Sequence, residues 1–218
     1  MNTWYTNDLK NTYKWNVDGN WSTDELRRMN ETATAIQAYA DKITGGNGLD
    51  WMKKNMGGTT IAHPNPIIDL FAGKNRNTSW PWHTIYLAQG FQNFDLAHEM
   101  AEMWDLNTAT GVTTGGYSNG VADQLNAHMG GNIMSDPWTC RYCNPNNYLG
   151  NIPNTNKWGD GSYANTATED YFSESFSHML YPLQVSGSYN MPAGIQTWLN
   201  EYITQGGPPA PPPLPPHG

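Results

Sequence analysis

The sequence has few charged residues, no long apolar run and almost no cysteine. Lys, Arg, Asp and Glu make up only 14% of the 218 residues, and the net charge is −8. A chain with so few cations is not expected to bind nucleic acid through its phosphates, or to bind an anionic membrane surface. No apolar stretch reaches the roughly 18 residues of a membrane-spanning helix, so we expect no membrane insertion.

The N-terminus lacks the basic and apolar regions of a signal peptide. Asn, Thr, Gly, Trp and Tyr are nevertheless abundant, which is typical of secreted, loop-rich microbial proteins. We therefore expect a secreted or extracellular protein whose leader is absent from this chain, although another export route or a cytosolic location stays open. Residues 206–218 are mostly proline and predict an extended linker, through which the domain would be tethered to other modules.

The only two cysteines, Cys140 and Cys143, form a single C-x-x-C motif. Asn and Pro follow it, so it is expected in a loop, whereas a redox pair normally opens a helix. A four-ligand zinc site would need two more ligands from scattered histidines. A local disulfide is the preferred interpretation, with free thiols and a metal site as alternatives.

Caps, glycines and apolar spacing predict an α+β protein. After twenty irregular residues, helices are expected from 23 to 44, 49 to 56, 93 to 106, 121 to 129, 168 to 180 and 192 to 203. Strands are expected at 59–62 and 84–88, with polar loops at 72–80 and 108–116. Residues 1–205 then form one domain, with a helix and sheet half to about 107 and a helical half from about 108.

The helix predicted at 93–106 carries the sequence H-E-M-A-E. His98 and Glu102 are one turn apart, so both side chains can reach one ion, and Glu99 lies beside them. The strand at 84–88 precedes this helix and could bind an extended peptide as an edge strand. The plain alternative is a set of solvated charges on a polar stripe that runs through Asp105.

A second helix supplies further acids downstream. Asp170 and Glu174 are one turn apart in E-D-Y-F-S-E-S-F, and Tyr163 stands seven residues before Asp170. Taken alone, such acids are usually a solvated helix surface, and a tyrosine in a loop has no specific meaning. Their spacing relative to the first motif is what makes them informative.

Together, L-A-H-E-x-x-x-x-W-D and Y-x6-D-Y-F-S-E-S resemble the zinc peptidases related to anthrax lethal factor and the clostridial Pro-Pro endopeptidases. The resemblance spans about residues 84–181. It implies a zincin-like fold, in which a small mixed sheet and an active-site helix precede a mainly helical C-terminal half. It also implies a metal-dependent endopeptidase, a hydrolase that binds one Zn²⁺ and acts on protein or peptide substrates.

Residue roles follow from the same resemblance. It implies His98 and Asp170 as metal ligands, Glu99 as general base and Tyr163 as the hydroxyl donor to the developing oxyanion. Glu174 would hydrogen-bond to a metal ligand and so orient it. Glu169 is an alternative ligand if the second helix has a different register.

The family's second histidine is Glu102 in this chain. Carboxylate is an acceptable zinc ligand, but it makes the site harder and favours Mn²⁺ or Ca²⁺ more than two histidines would. His178, one turn after Glu174, and His128 are alternative substitute ligands, although both are more simply ordinary helix residues. Three outcomes stay open at Glu102: a working enzyme, a metal-binding but inactive relative, and a site without metal.

Two other function classes compete with the peptidase. One is a catalytically inactive module of the same fold that binds a peptide or a cell-surface glycan, for which the ten tryptophans would suit sugar stacking. The other is a glycoside hydrolase that uses two of the clustered acids. No sequence feature places two carboxyls across a sugar, so the peptidase is the preferred hypothesis.

Overall fold

The computed structural model describes residues 2–63, 78–80, 83–113, 116–128, 163–181 and 193–208, and only the backbone for 78–80, 111–113, 116–118, 163–171 and 193. Over these residues the chain is a mostly helical α+β protein with a small mixed sheet, which confirms the predicted class. None of its described helices is long and apolar enough to cross a membrane.

The helices agree with the sequence predictions except at the N-terminus and at one start point. They are α1 (Asn2–Asp8), α2 (Thr23–Thr44), α3 (Gly48–Met56), α4 (Asn93–Thr108), α5 (Val121–His128), α6 (Tyr163–Leu180) and α7 (Ala193–Gln205). A π-helical turn, Leu9–Tyr13, follows α1, so the expectation of twenty irregular residues was wrong. The predicted start of α6 at Thr168 was also wrong, because the helix begins five residues earlier.

Local signals explain why α2 begins and ends where predicted. Ser22 and Glu25 form a reciprocal capping box, which satisfies backbone N–H groups of the first turn. At the other end Gly45 adopts the left-handed conformation, with φ of 68°, and its N–H donates to the carbonyl of Asp41. These contacts are local in sequence, which is why the pattern alone predicts the whole helix.

The larger sheet has the strands β1 (Asn16–Val17), β2 (Thr60–Ala62), β3 (Thr78–Trp80) and β4 (Thr84–Tyr86) in the order β1-β2-β4-β3. Strands β1, β2 and β4 are parallel, and β3 is antiparallel to β4. The two predicted strands are therefore present, but β4 is interior and β3 is the outer strand. The predictions of an edge strand at 84–88 and of a loop throughout 72–80 were both wrong.

A two-stranded hairpin follows α4, where a loop was expected. Its strands are β5 (Gly111–Thr113) and β6 (Gly116–Ser118), which pair antiparallel. Strand β6 contacts α6, so the hairpin packs against the helix that carries Asp170 and Glu174.

The hydrophobic core joins the sheet to the helices. Ile61 of β2 and Ile85 of β4 are fully buried opposite each other in register. Trp104 of α4 lies at the centre of an aromatic cluster and contacts rings from three other helices. These rings are Trp51 of α3, Phe172 and Phe176 of α6, and Tyr202 of α7, with centroids 4.8 to 5.7 Å away. The cluster holds α4 and α6 together beside the candidate site.

Candidate metal centre

Helix α4 is buried over most of its surface. Its apolar side chains Ala97, Met100, Ala101 and Trp104 are fully inaccessible to solvent. Gln92 is the N-cap residue of α4, and the carboxylate of Asp95 in the first turn accepts its backbone N–H at 2.8 Å.

His98 bridges two carboxylates that belong to different helices. Its Nδ1 is 3.1 Å from Oε1 of Glu174 on α6, and its Nε2 is 3.2 Å from Oε1 of Glu102 on α4. The three side chains are only 13%, 13% and 18% exposed, in the order His98, Glu174 and Glu102. The alternative of solvated charges on two unrelated helix surfaces was therefore wrong for these residues.

The two contacts of His98 depend on which ring nitrogen carries the proton. A neutral imidazole carries one N–H and one lone pair, so it donates to one carboxylate while its other nitrogen acts as an acceptor. A proton on Nδ1 gives a donated bond to Glu174 and turns the lone pair of Nε2 toward Glu102. This is the tautomer in which Nε2 can bind a metal while a carboxylate orients the ring.

The pair His98 and Glu102 fits an ion as two of its ligands. Two ligands of a tetrahedral zinc at about 2.0–2.1 Å have donor atoms about 3.3 Å apart, close to the separation of 3.2 Å between Nε2 and Oε1. Glu174 contacts the opposite ring nitrogen, so it does not converge with them. Accordingly, no three His, Cys, Asp or Glu side chains form a metal-binding group within the described part of the chain.

The remaining predicted site residues are placed to different extents. Glu99 follows His98 directly and is only 5% exposed. Tyr163, Glu169 and Asp170 belong to α6, which places Asp170 one helical turn before Glu174. The side chains of these three residues lie outside the described residues.

The substitute ligands and the cysteines add little to the site. His178 lies one turn after Glu174 on α6 and is partly buried. His128 is exposed at the end of α5, where its ring lies 6.0 Å from that of Trp198, so packing against α7 accounts for its position. Cys140 and Cys143 lie outside the described residues.

Asp105 has a role that the sequence did not suggest. It was expected on the polar, solvent-facing stripe of α4, but its side chain is buried and its Oδ1 accepts the backbone N–H of Ala122 at 2.7 Å. Burial raises the pKa of this carboxyl to about 7, even though the hydrogen bond from the N–H of Ala122 acts to lower it. Asp105 therefore caps the start of α5 instead of facing solvent.

Comparison with protein-family models found no match to the chain. Comparisons with curated proteins and with solved structures found no match either.

Proposed function

We propose that the protein is a metal-dependent endopeptidase with a zincin-like fold. The observation that carries the proposal is the partly buried arrangement of His98 between Glu102 of its own helix and Glu174 of α6. Glu99 is the next residue of the same helix and is buried. Two helices separated by more than fifty residues thus contribute to one polar cluster next to the core. Even partial burial of three ionisable groups costs free energy, and clusters of this kind are frequent at functional sites.

The sheet supports a peptide as the substrate class. Strand β3 is the outermost strand of the described sheet, runs antiparallel to β4 and contacts α4. An extended peptide can pair with the outer edge of such a strand through backbone hydrogen bonds. That arrangement would bring a peptide bond near the residues of α4.

We propose that His98, Glu102 and Asp170 hold one divalent ion, of which Zn²⁺ is the first candidate. One imidazole and two carboxylates form a harder donor set than two imidazoles and one carboxylate, so Mn²⁺ and Ca²⁺ compete better here. When bound, such an ion acidifies a water molecule and polarises the scissile carbonyl. Glu174 keeps the proton of His98 on Nδ1 and so leaves Nε2 free as a ligand.

The chain's own groups then move the protons. Glu99 would accept a proton from the attacking water and deliver it to the amide nitrogen that leaves. Tyr163 would donate a hydrogen bond to the oxyanion that develops on the former carbonyl.

The test is cleavage of a peptide library, followed by mass spectrometry, with and without a chelator. We expect cleavage by the wild-type protein, loss on chelation, and recovery on adding back Zn²⁺ or Mn²⁺. Glu99→Gln should lower the rate by about 10²–10⁴-fold while metal content stays the same. Cleavage that survives both chelation and Glu99→Gln would show that the site is not a metallopeptidase centre.

The alternative is a catalytically inactive module of the same fold that holds a peptide or glycan. The observation that favours it is Glu102, which replaces a second imidazole and weakens the ion's power to acidify water. Glu102→His separates the two functions. If the wild-type protein binds metal without cleaving any peptide and Glu102→His cleaves, the native protein is the binding module.

A further inference from the structure

The loop between β4 and α4 is held by the N-terminal half of α2. Arg28 donates from Nη1 to the carbonyl oxygens of Phe91 at 2.6 Å and Gly90 at 3.3 Å. The backbone N–H of Gly90 in turn donates to Oε1 of Glu25 at 3.3 Å. The carbonyl oxygen and the N–H of Gly90 are thus both bound, by Arg28 and Glu25 respectively. These two side chains lie one turn apart on α2.

Further contacts hold the same loop at its two ends. The side-chain amide of Asn93, the first residue of α4, donates to Oε2 of Glu31 at 3.3 Å. At the other end, Nδ1 of His63 lies 3.4 Å from the carbonyl oxygen of Leu87. Glu25, Arg28 and Glu31 recur at helical spacing, so one stripe of α2 follows the loop into the start of α4.

Glu25 is prepared for this role by its surroundings. The carboxyl is 7% exposed, and burial alone would raise its pKa, but hydrogen bonds from Ser22 and from the N–H of Gly90 outweigh burial and lower the pKa. The same carboxylate closes the capping box of α2. Arg28 has no part in the capping box, so its contacts with the loop can be removed without changing the cap of α2.

The rotation of α4 about its axis at its first residue determines the direction of the His98 side chain. A helix is stiff, so a rotation at residue 93 is carried to residue 98 almost unchanged. A rotation of about 20° moves an atom 5 Å from the helix axis by nearly 2 Å. That displacement would break the contacts of 3.1 and 3.2 Å that His98 makes with Glu174 and Glu102.

We infer that Arg28 is a positioning residue for the site: by binding the carbonyls of Gly90 and Phe91 it sets the rotation of α4, and so the alignment of His98 between Glu102 and Glu174. The metal-affinity consequence rests on the proposed function, whereas the alignment of the imidazole does not. Removing the guanidinium should therefore change the environment of His98, which no contact of Arg28 reaches directly.

Arg28→Met and Arg27→Met form a matched pair for the test. Both arginines pair with Asp24, but Arg27 is 45% exposed and its contacts are Asp24 and Glu31, whereas Arg28 reaches the loop. Full-length protein labelled with ¹⁵N-histidine is compared by long-range ¹H–¹⁵N NMR, and His98 is assigned through His98→Gln. Affinity for Zn²⁺ alone is measured by competition with a fluorescent chelator, and folding is checked by circular dichroism.

We expect Arg28→Met to shift both ring nitrogens of His98 and to weaken Zn²⁺ binding by about 10-fold or more, as loss of a supporting partner usually does. Arg27→Met should leave both readouts near wild type. Arg28→Lys keeps the positive charge but has one ammonium group in place of the forked guanidinium, so it should give intermediate shifts of the His98 resonances. This variant takes the place of Arg28→Met if Arg28→Met does not fold.

Unchanged His98 resonances in Arg28→Met, or equal changes in both methionine variants, would overturn the inference. If the wild-type protein binds no Zn²⁺ or Mn²⁺ but the His98 resonances still respond only at Arg28, the positioning role stands and the proposed function fails. If metal binds and cleavage occurs but Arg28→Met changes neither the His98 resonances nor the affinity for Zn²⁺, only the positioning role fails.

Discussion

Asp105 shows how a single buried carboxylate can connect two helices. It lies in the last turn of α4, where the helix dipole disfavours a negative charge, yet it also faces the first N–H groups of α5, where the dipole favours one. Because α5 packs against α6, this contact supports the helix that carries Glu174. The residue therefore stabilises the surroundings of the site without taking part in it.

Replacing Asp105 by Asn should change how stability depends on pH. The folded pKa is raised from 3.8 to about 7, so between these values the folded chain keeps a proton that the unfolded chain has lost. The contribution of Asp105 to stability is therefore present below pH 4 and is lost as pH rises to about 7. Asn keeps an oxygen acceptor for Ala122 but carries no charge.

In urea denaturation, Asp105→Asn should therefore gain stability relative to wild type as pH rises from 4 to 8, by up to about 4 kcal/mol. Glu201→Gln, which removes one negative charge from an exposed position on α7, is the control for the change in net charge. A difference between Asp105→Asn and wild type that stays constant over this range would contradict the assignment.

At the scale of elements, features that depend on neighbours in sequence were predictable and features that depend on distant partners were not. The cap residues at 22–23 and the glycine at 45 predicted the bounds of α2 to within one residue. Strand β3 has a Thr-Ser-Trp sequence with no periodic pattern, and it is a strand because β4 is available to pair with it. The solvent-facing role expected for Asp105 failed for the same reason, since helical spacing does not reveal that α5 begins against it.

The junction between α4 and α5 should depend on the absence of a side chain at Gly120. A Cβ there would lie 2.9 Å from the carbonyl oxygen of Asp105, and closer still to its carboxylate. Gly120→Ala must therefore displace either backbone or a buried charge, at a cost of about 1–3 kcal/mol. Gly194→Ala is the matched control, because a Cβ at that position in α7 meets no atom of the described residues within 4 Å.

Thermal denaturation of the two alanine variants checks this. Gly120→Ala should melt below wild type, whereas Gly194→Ala should melt at or slightly above it, since alanine favours the helix by up to about 1 kcal/mol. Equal effects at the two glycines would show that the junction has room for a side chain.

For the whole molecule, the candidate site depends on α4 and α6 meeting across a long stretch of sequence. The sequence predicted the two motifs, and the structure brings His98 and Glu174 together. The sequence had no means of indicating Arg28, because its partners are backbone carbonyls more than sixty residues away. A motif thus predicts which side chains share a site more readily than it predicts what holds them in place.

A shared metal ion should stabilise the entire fold, because it would be bound by the folded chain alone. At a free ion concentration 100 times Kd, linkage adds about 2.7 kcal/mol. For a chain of this size that corresponds to a rise in Tm of about 5–10 °C. Differential scanning fluorimetry of chelator-treated protein with Zn²⁺, Mn²⁺ or Ca²⁺ measures the rise and ranks the three ions.

His98→Ala should abolish this rise in Tm, whereas His128→Ala, which removes an exposed imidazole from the end of α5, should retain it in full. Glu102→His should increase the rise with Zn²⁺ relative to Mn²⁺, because a second imidazole makes the donor set softer. If Zn²⁺ raises the Tm of His98→Ala as much as that of the wild-type protein, the ion binds elsewhere, and His98 with Glu102 and Glu174 is only a buried polar cluster that joins α4 to α6.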